Sequence, residues 1–344
     1  MQMSKWHIFV VFSLSILIFS CAETVPKPDV SAVSVDYTSH RFDRAFFYCN
    51  FEDSAAIQSL YRDYGDFLVE YVEGIMALGP VDSVFSFSVE AAQMTTMPDI
   101  VALEAEVNRV FDDNTIASLD ADFEEAFRYY RHYFPEDTMP KIIYMNTIFN
   151  YGIYPMDKYL GIGLDFFLGP DNEFIRSLPP DVFPQYQRDK MRPDYIVPNA
   201  MFGHLAVKHQ DLYNESNLLE TMIFYGKMMY ILDLVLPDMP DSLKMNYSSR
   251  EMEWAKAYEY NTWKELANEK VLYNGKAADI RRWVNDGPFT NAGNIPNDSP
   301  SRLGIFMGRQ MVWSYIKKNE EVSLHDLIYK TKSEEILRHY KPKK

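Results

Sequence analysis

The sequence predicts an α+β fold in which helices dominate. Two observations carry that expectation. Apolar residues recur at three- and four-residue spacing through most of the chain, the period of a helix with one packed face. One short block between residues 141 and 169 breaks the pattern, and there Ile, Tyr and Phe crowd between glycines and prolines as they do in strands. The order is helices, a small sheet, then helices. No internal repeat appears, and no composition break after residue 40 requires a second domain, so residues 38–344 read as one domain.

Residues 51–79 place Ile57, Leu60, Tyr64, Leu68, Tyr71 and Ile75 on one helical face, with Gly79 and Pro80 as the stop. Residues 98–113 align Ile100, Leu103, Val107 and Val110 in the same way. "SLDADFEEAFRYYRHYFPED" offers Asp120 or Ser118 as a cap, acidic first turns, and a stripe of Phe123, Phe127 and Tyr130 that Pro135 ends. "KIIYMNTIFN" and "LGIGLDFFLG" read as two strands, neighbours in one sheet, punctuated by "YGIYPMDKY". Further helices are expected over 197–210, 215–235, 248–268, 276–285, 302–318 and 323–330. The second of these is apolar almost all round, which demands burial or a partner. Gly226 in its middle costs about 1 kcal/mol relative to Ala, so a close approach of the helix over 197–210 is expected there.

The N-terminus reads "MQMSKWHIFVVFSLSILIFSCAET". Lys5 is a positive start, and Ile8 to Phe19 is an apolar run suited to a signal peptide. The following "LIFSC" resembles a bacterial lipobox. It implies cleavage after residue 20 and lipidation of Cys21, hence attachment to a membrane without a spanning helix. Residues 21–37, with two prolines and small polar residues, read as a tether. Apolar residues are 47% of the chain and aromatics 15%, enough for a packed core, and the formal net charge is −15. An acidic surface without a basic cluster excludes nucleic acid as a partner. Cys49 is the second of two cysteines, so no disulfide framework is expected once Cys21 is acylated.

"GHLAVKH" (203–209) is the stretch that evokes a zinc site. A zinc peptidase helix carries H-E-x-x-H because residues four apart differ by about 40° around a helix and point at one ion. Here Leu205 stands where the base would be, and Lys208 stands at the second ligand position. His209, five residues on, is turned by about 140°. The expected disposition is one histidine packed and one wet, with no metal and no cofactor. "GIGLDFFLG" lacks the third glycine of a dinucleotide fingerprint and is read as strand with close backbone approach at Gly161 and Gly163. Asp165 within it must face solvent or be held by a partner. Asp171, Asn172 and Glu173 form a turn better suited to capping a helix than to binding calcium.

Seven stretches taken together resemble the gliding-motility lipoprotein GldB family. They are "RFDRAFF" (41–47), "FRYYRHYFPED" (127–137), "GIGLDFFLGP" (161–170), "PDYIVPNAM" (193–201), "LLETMIFYGKMMYILDLVLPDMPDSLKMNY" (218–247), "EMEWAKAYEYNTW" (251–263) and "SPSRLGIFMGRQMVWSYIKKNEEVSL" (299–324). The resemblance implies a lipid-anchored component of the gliding and adhesin-secretion apparatus, held in the cell envelope and facing the periplasm, with other apparatus proteins as partners. It also implies kinship with predicted zinc peptidases and a zincin-like scaffold. Carried over, His204 falls on the first histidine, Leu205 replaces the catalytic Glu, Lys208 replaces the second histidine, and Tyr225 stands where the acidic ligand would be. His204, Lys208, Tyr225 and Asp165 are thus the candidate residues of a residual cleft without catalytic residues. The alternatives are an envelope metallohydrolase with an unusual metal site, and a protein that binds extended peptides along the edge strand of that cleft.

Overall fold

The computed structural model describes residues 27–82 and 84–343. The expected signal peptide, Cys21 and the first residues of the tether lie outside the described residues. Helices make up 57% of the structure and a single four-stranded sheet supplies the β part, an α+β fold dominated by helices. No helix among the described residues is long and apolar enough to cross a membrane.

The first elements are strand β1 (Ser39–Arg41) and helices α1 (Phe42–Phe47), α2 (Ser54–Val69), α3 (Ser88–Thr96), α4 (Pro98–Val110) and α5 (Asp113–Tyr133). The expected helix over 51–79 is interrupted: Gly65 takes φ 45°, ψ −119° inside α2, and the chain then widens into a π-turn over Glu70–Ile75. The cap of α5 is Asp112, whose carboxylate accepts from Thr115 N at 2.8 Å, and not Asp120 or Ser118. Asp120 is instead a half-buried anchor that accepts from Tyr37 Oη at 2.6 Å, Ser39 Oγ at 3.0 Å and Tyr144 Oη at 2.9 Å.

Strands β2 (Lys141–Met145), β3 (Ile153–Pro155) and β4 (Tyr159–Gly163) complete a sheet of order β1-β2-β4-β3. The expected neighbours β2 and β4 pair in parallel, Ile142 opposite Leu160. β1 adds in parallel on one side, and β3 pairs antiparallel with β4 on the other. Both additions were illegible as strands: each is three residues long, and β3 lies in the stretch read as punctuation. β4 ends at Gly163, so Asp165 sits in a 3-10 turn (Leu164–Phe167) and not in a strand. Gly163 makes the close approach expected of it, for a Cβ there would lie 2.0 Å from Tyr151 O. Alternation across the pleat sorts β2 into two cores. Ile143 and Met145 join the aromatic cluster of α1 and α2, around Phe42, Phe46 and Tyr71. Ile142 and Tyr144 join the larger core on the opposite face.

The remaining helices are α6 (Glu173–Ser177), α7 (Gln185–Arg188), α8 (Ile196–Lys208), α9 (Leu218–Val235), α10 (Asp241–Lys244), α11 (Ser249–Ala257), α12 (Glu259–Glu269), α13 (Ala277–Val284), α14 (Leu303–Ile316), α15 (Leu324–Tyr329) and α16 (Ser333–His339), and the larger core draws on α4, α5 and all of these but α7. The single helix expected over 248–268 is two, broken at Tyr258 (φ −107°, ψ 17°). Asn172 caps α6 as expected, accepting from Phe174 N at 3.0 Å. The central pair is α9 and α14, both apolar on every side and both almost wholly buried. They cross at glycine: a Cβ on Gly226 would lie 2.4 Å from the Gly308 carbonyl, and one on Gly308 would lie 1.9 Å from Met222 O. The partner of Gly226 is therefore α14, not α8, which corrects the expectation from sequence. Of the segment read as a tether, residues 27–37 lie on the domain: Val30 is buried, Lys27 pairs with Asp238, and Tyr37 bonds Asp120.

Candidate functional site

Helix α8 carries the motif-like histidine. His204 is 4% exposed, with its ring edge-on to Tyr130 at 5.6 Å and to Phe127 at 6.4 Å. Leu205 is fully buried in the core. Lys208 is partly exposed and sits 3.7 Å from Asp137, which also accepts from Tyr130 Oη at 2.6 Å. α8 ends at Lys208, so His209 is a cap residue off the helical wheel (φ −108°, ψ 18°) and is buried too, not wet as expected. Its Nδ1 lies 3.3 Å from Tyr329 Oη. Among the described residues, Nε2 of both histidines is buried without a hydrogen-bond partner.

Burial, reinforced by Lys208 and His209, pulls the His204 imidazole down to about 4 against the opposing pull of Asp137 and Asp157. Burial likewise lowers His209. Both rings are therefore neutral near pH 7. A pocket of about 270 Å³ opens beside His204, bounded by Met156, Asp157, Val207, Lys208 and Asp211. This is a place for one neutral imidazole to exchange a hydrogen bond. A general base is tuned towards the working pH, and His204 is shifted away from it. No three His, Cys, Asp or Glu side chains converge on a common point among the described residues.

The other candidates do not join this pocket. Tyr225 on α9 stacks on Phe202 at 6.1 Å and meets Tyr213 at 5.9 Å. Phe202 and His204 are two residues apart on α8, about 200° around the helix, so Tyr225 and His204 belong to different faces. Asp165 is fully buried and held by a partner, the loop after β2: it accepts from Thr147 N at 3.0 Å and from Phe149 N at 2.5 Å. Burial raises its carboxyl to about 6 against those hydrogen bonds. The bonds fix Ile148 (φ 54°) and Phe149 (φ 60°) in the left-handed region, which is costly for a β-branched or bulky residue.

Sequence reasoning missed two buried polar clusters. At the carboxyl ends of β1 and β2, Glu104 accepts from Asn108 Nδ2 at 2.6 Å and from Asn146 Nδ2 at 3.0 Å, and Arg41 grips Asp43 at 2.6 Å. Burial, with Asp43 nearby, raises Glu104 to about 7, opposed by Asn146, Asn108 and Arg41. Between α9 and α14, Asp233 receives Arg309 Nε at 2.8 Å, Lys244 Nζ at 2.7 Å and Trp313 Nε1 at 2.8 Å. The available signal was a charge set into each of two largely apolar helices, Asp233 near the end of α9 and Arg309, the single charge of α14. Cys49 is half-buried, and burial followed by Asp53 raises its thiol, which leaves it a poor nucleophile.

Fold and site together define a helix-dominated α+β protein whose interior charges hold elements to one another, with one small imidazole-lined pocket at the end of α8. The chain belongs to the gliding motility protein GldB family, whose model matches residues 23–342. Membership ties it to gliding motility and, as a lipoprotein family, to the cell envelope. No curated protein and no solved structure gives a significant match.

Proposed function

We propose that the chain is a lipid-anchored component of the envelope apparatus that drives gliding and exports adhesins, and that it acts by holding other apparatus proteins and not by catalysis. The observation that carries this reading is the family match, which covers nearly all of the chain and begins two residues after Cys21. Three features of α8 support the non-catalytic part: a neutral buried His204, a core leucine at position 205, and an ion-paired Lys208. A zincin-like ancestry remains compatible with the sheet-then-α8 order, but it supplies no chemistry here.

Complementation of a strain lacking the protein tests both parts. Cys21→Ser is expected to lose labelled palmitate and gliding together. His204→Leu, present at parental abundance, is expected to glide. Equal palmitate labelling of Cys21→Ser would overturn the anchor. Loss of gliding by abundant, folded His204→Leu, with stoichiometric zinc in the parent, would overturn the non-catalytic reading.

A further inference from the structure

Beside β3 and the first half of α8 the fold leaves a cavity of about 380 Å³. Phe166 and Phe183 form one wall, ring centroids 6.0 Å apart and edge to face, with Met191 beside them. Phe149 backs both rings at 6.0 and 6.3 Å, and Asp165 holds Phe149 in its left-handed conformation. Asp165 thus fixes the ring that backs the apolar wall.

Lys190 enters the same cavity. Its side chain is 10% exposed, and among the described residues its Nζ makes no hydrogen bond. The ion-pair contact to Asp286 is 3.6 Å, too long for a hydrogen bond, and Asp286 already accepts from Ser301 Oγ at 2.9 Å. An ammonium has three donors, and keeping them buried and unused is unfavourable. Asn199 reaches the cavity from α8, and among the described residues its amide has only a stretched 3.5 Å contact to Asn246. An apolar wall with a few converging polar groups is the usual form of a ligand site.

We infer that this cavity binds a carboxylate carried on an apolar or aromatic group, as presented by the C-terminal residue of a peptide or by a small organic acid. Lys190 takes the carboxylate at hydrogen-bond distance, closer than its 3.6 Å contact to Asp286, whose carboxylate lines the same cavity and opposes binding by repulsion. Phe166, Phe183 and Met191 take the apolar body. The site goes beyond the role in gliding and does not depend on it.

Calorimetric titration of the purified full chain tests this. N-acetyl-phenylalanine and N-acetyl-leucine are compared with their amides. The acids are expected to bind, and the amides to bind about tenfold or more weakly, the worth of a hydrogen-bonded charge. A five-residue peptide ending in free Phe that binds more tightly than the acetylated amino acid assigns a peptide terminus; equal affinity assigns a small acid. Lys190→Met is expected to weaken the acids by the same factor and leave the amides unchanged. Equal affinity of acid and amide for the unaltered protein, or no binding of any acid or of the peptide, overturns the inference without recourse to a variant.

Discussion

Gly226 and Gly308 meet backbone to backbone where α9 crosses α14, with no room at either position for a methyl group. The obstacles are main-chain atoms of the facing helix, which cannot rotate aside as a side chain can. Overpacking in a core costs typically 1–3 kcal/mol, and a backbone obstacle puts Gly226→Ala and Gly308→Ala at about 3 kcal/mol or above. Urea unfolding of both variants is expected to show a lower midpoint with an unchanged slope, and envelope abundance is expected to fall. A Gly226→Ala protein with the parental midpoint would show that the helices do not cross there.

Asp233 is the hub of the same helix pair. It is fully buried, and Arg309 and Lys244, themselves buried, both point at it. Removing one partner of such a cluster strands the others: Asp233→Leu is expected to cost about 3–5 kcal/mol. Replacing Asp233, Lys244 and Arg309 together by apolar residues of similar size is expected to recover part of that loss, because no buried charge is then unpaired, although Asp241 also loses two of its partners. A triple variant no more stable than Asp233→Leu would argue against this account.

Asp241, which shares Lys244 and Arg309 with that hub, gives a pH signature of known sign. Burial alone would raise its carboxyl, but Arg309, Lys244 and Lys256 outweigh burial and hold it at about 2. A depressed carboxyl contributes stability that is complete above its unfolded value near 3.9 and is lost as pH falls towards 2. Asp241→Asn is therefore expected to be less stable than the parent at neutral pH, with the gap narrowing below about pH 4 and closing near pH 2. Acid unfolding of the two proteins in parallel measures this.

Much of the fold was legible because periodicity survives in sequence. The stripes of α4, α5 and α9 and the apolar crowding of β2 announced themselves. What was missed depended on distant partners. β1 and β3 are too short to show a period and exist through pairing with β2 and β4. Asp120 carried the chemistry of a cap but serves Tyr37, Ser39 and Tyr144, none of which is near it in sequence. Gly226 advertised a close approach without saying to what. At α8, sequence established that Lys208 and Leu205 are unfit for zinc chemistry, but the burial of His209 required the helix to end one residue before it.

His204 supplies the last expectation. Its imidazole is neutral and buried, lowered to about 4, while in the unfolded chain it titrates near 6.5. Between those values the unfolded state binds the extra proton, so stability is complete above about pH 6.5 and is lost as pH falls towards 4, at up to about 1.4 kcal/mol per pH unit. Glu104, raised to about 7, and Asp165, raised to about 6, act in the opposite sense, because their folded forms keep the proton that the unfolded chain has released. A single pH curve of the parent therefore mixes opposing slopes, and the difference between two proteins is the informative quantity. His204→Leu removes one group and leaves the others. Relative to the parent, the variant is expected to gain about 2–3 kcal/mol on going from near pH 7.5 to near pH 4.5. Urea unfolding at those two pH values reads the change directly, and a pH-independent gap would mean that His204 is not held neutral against the core.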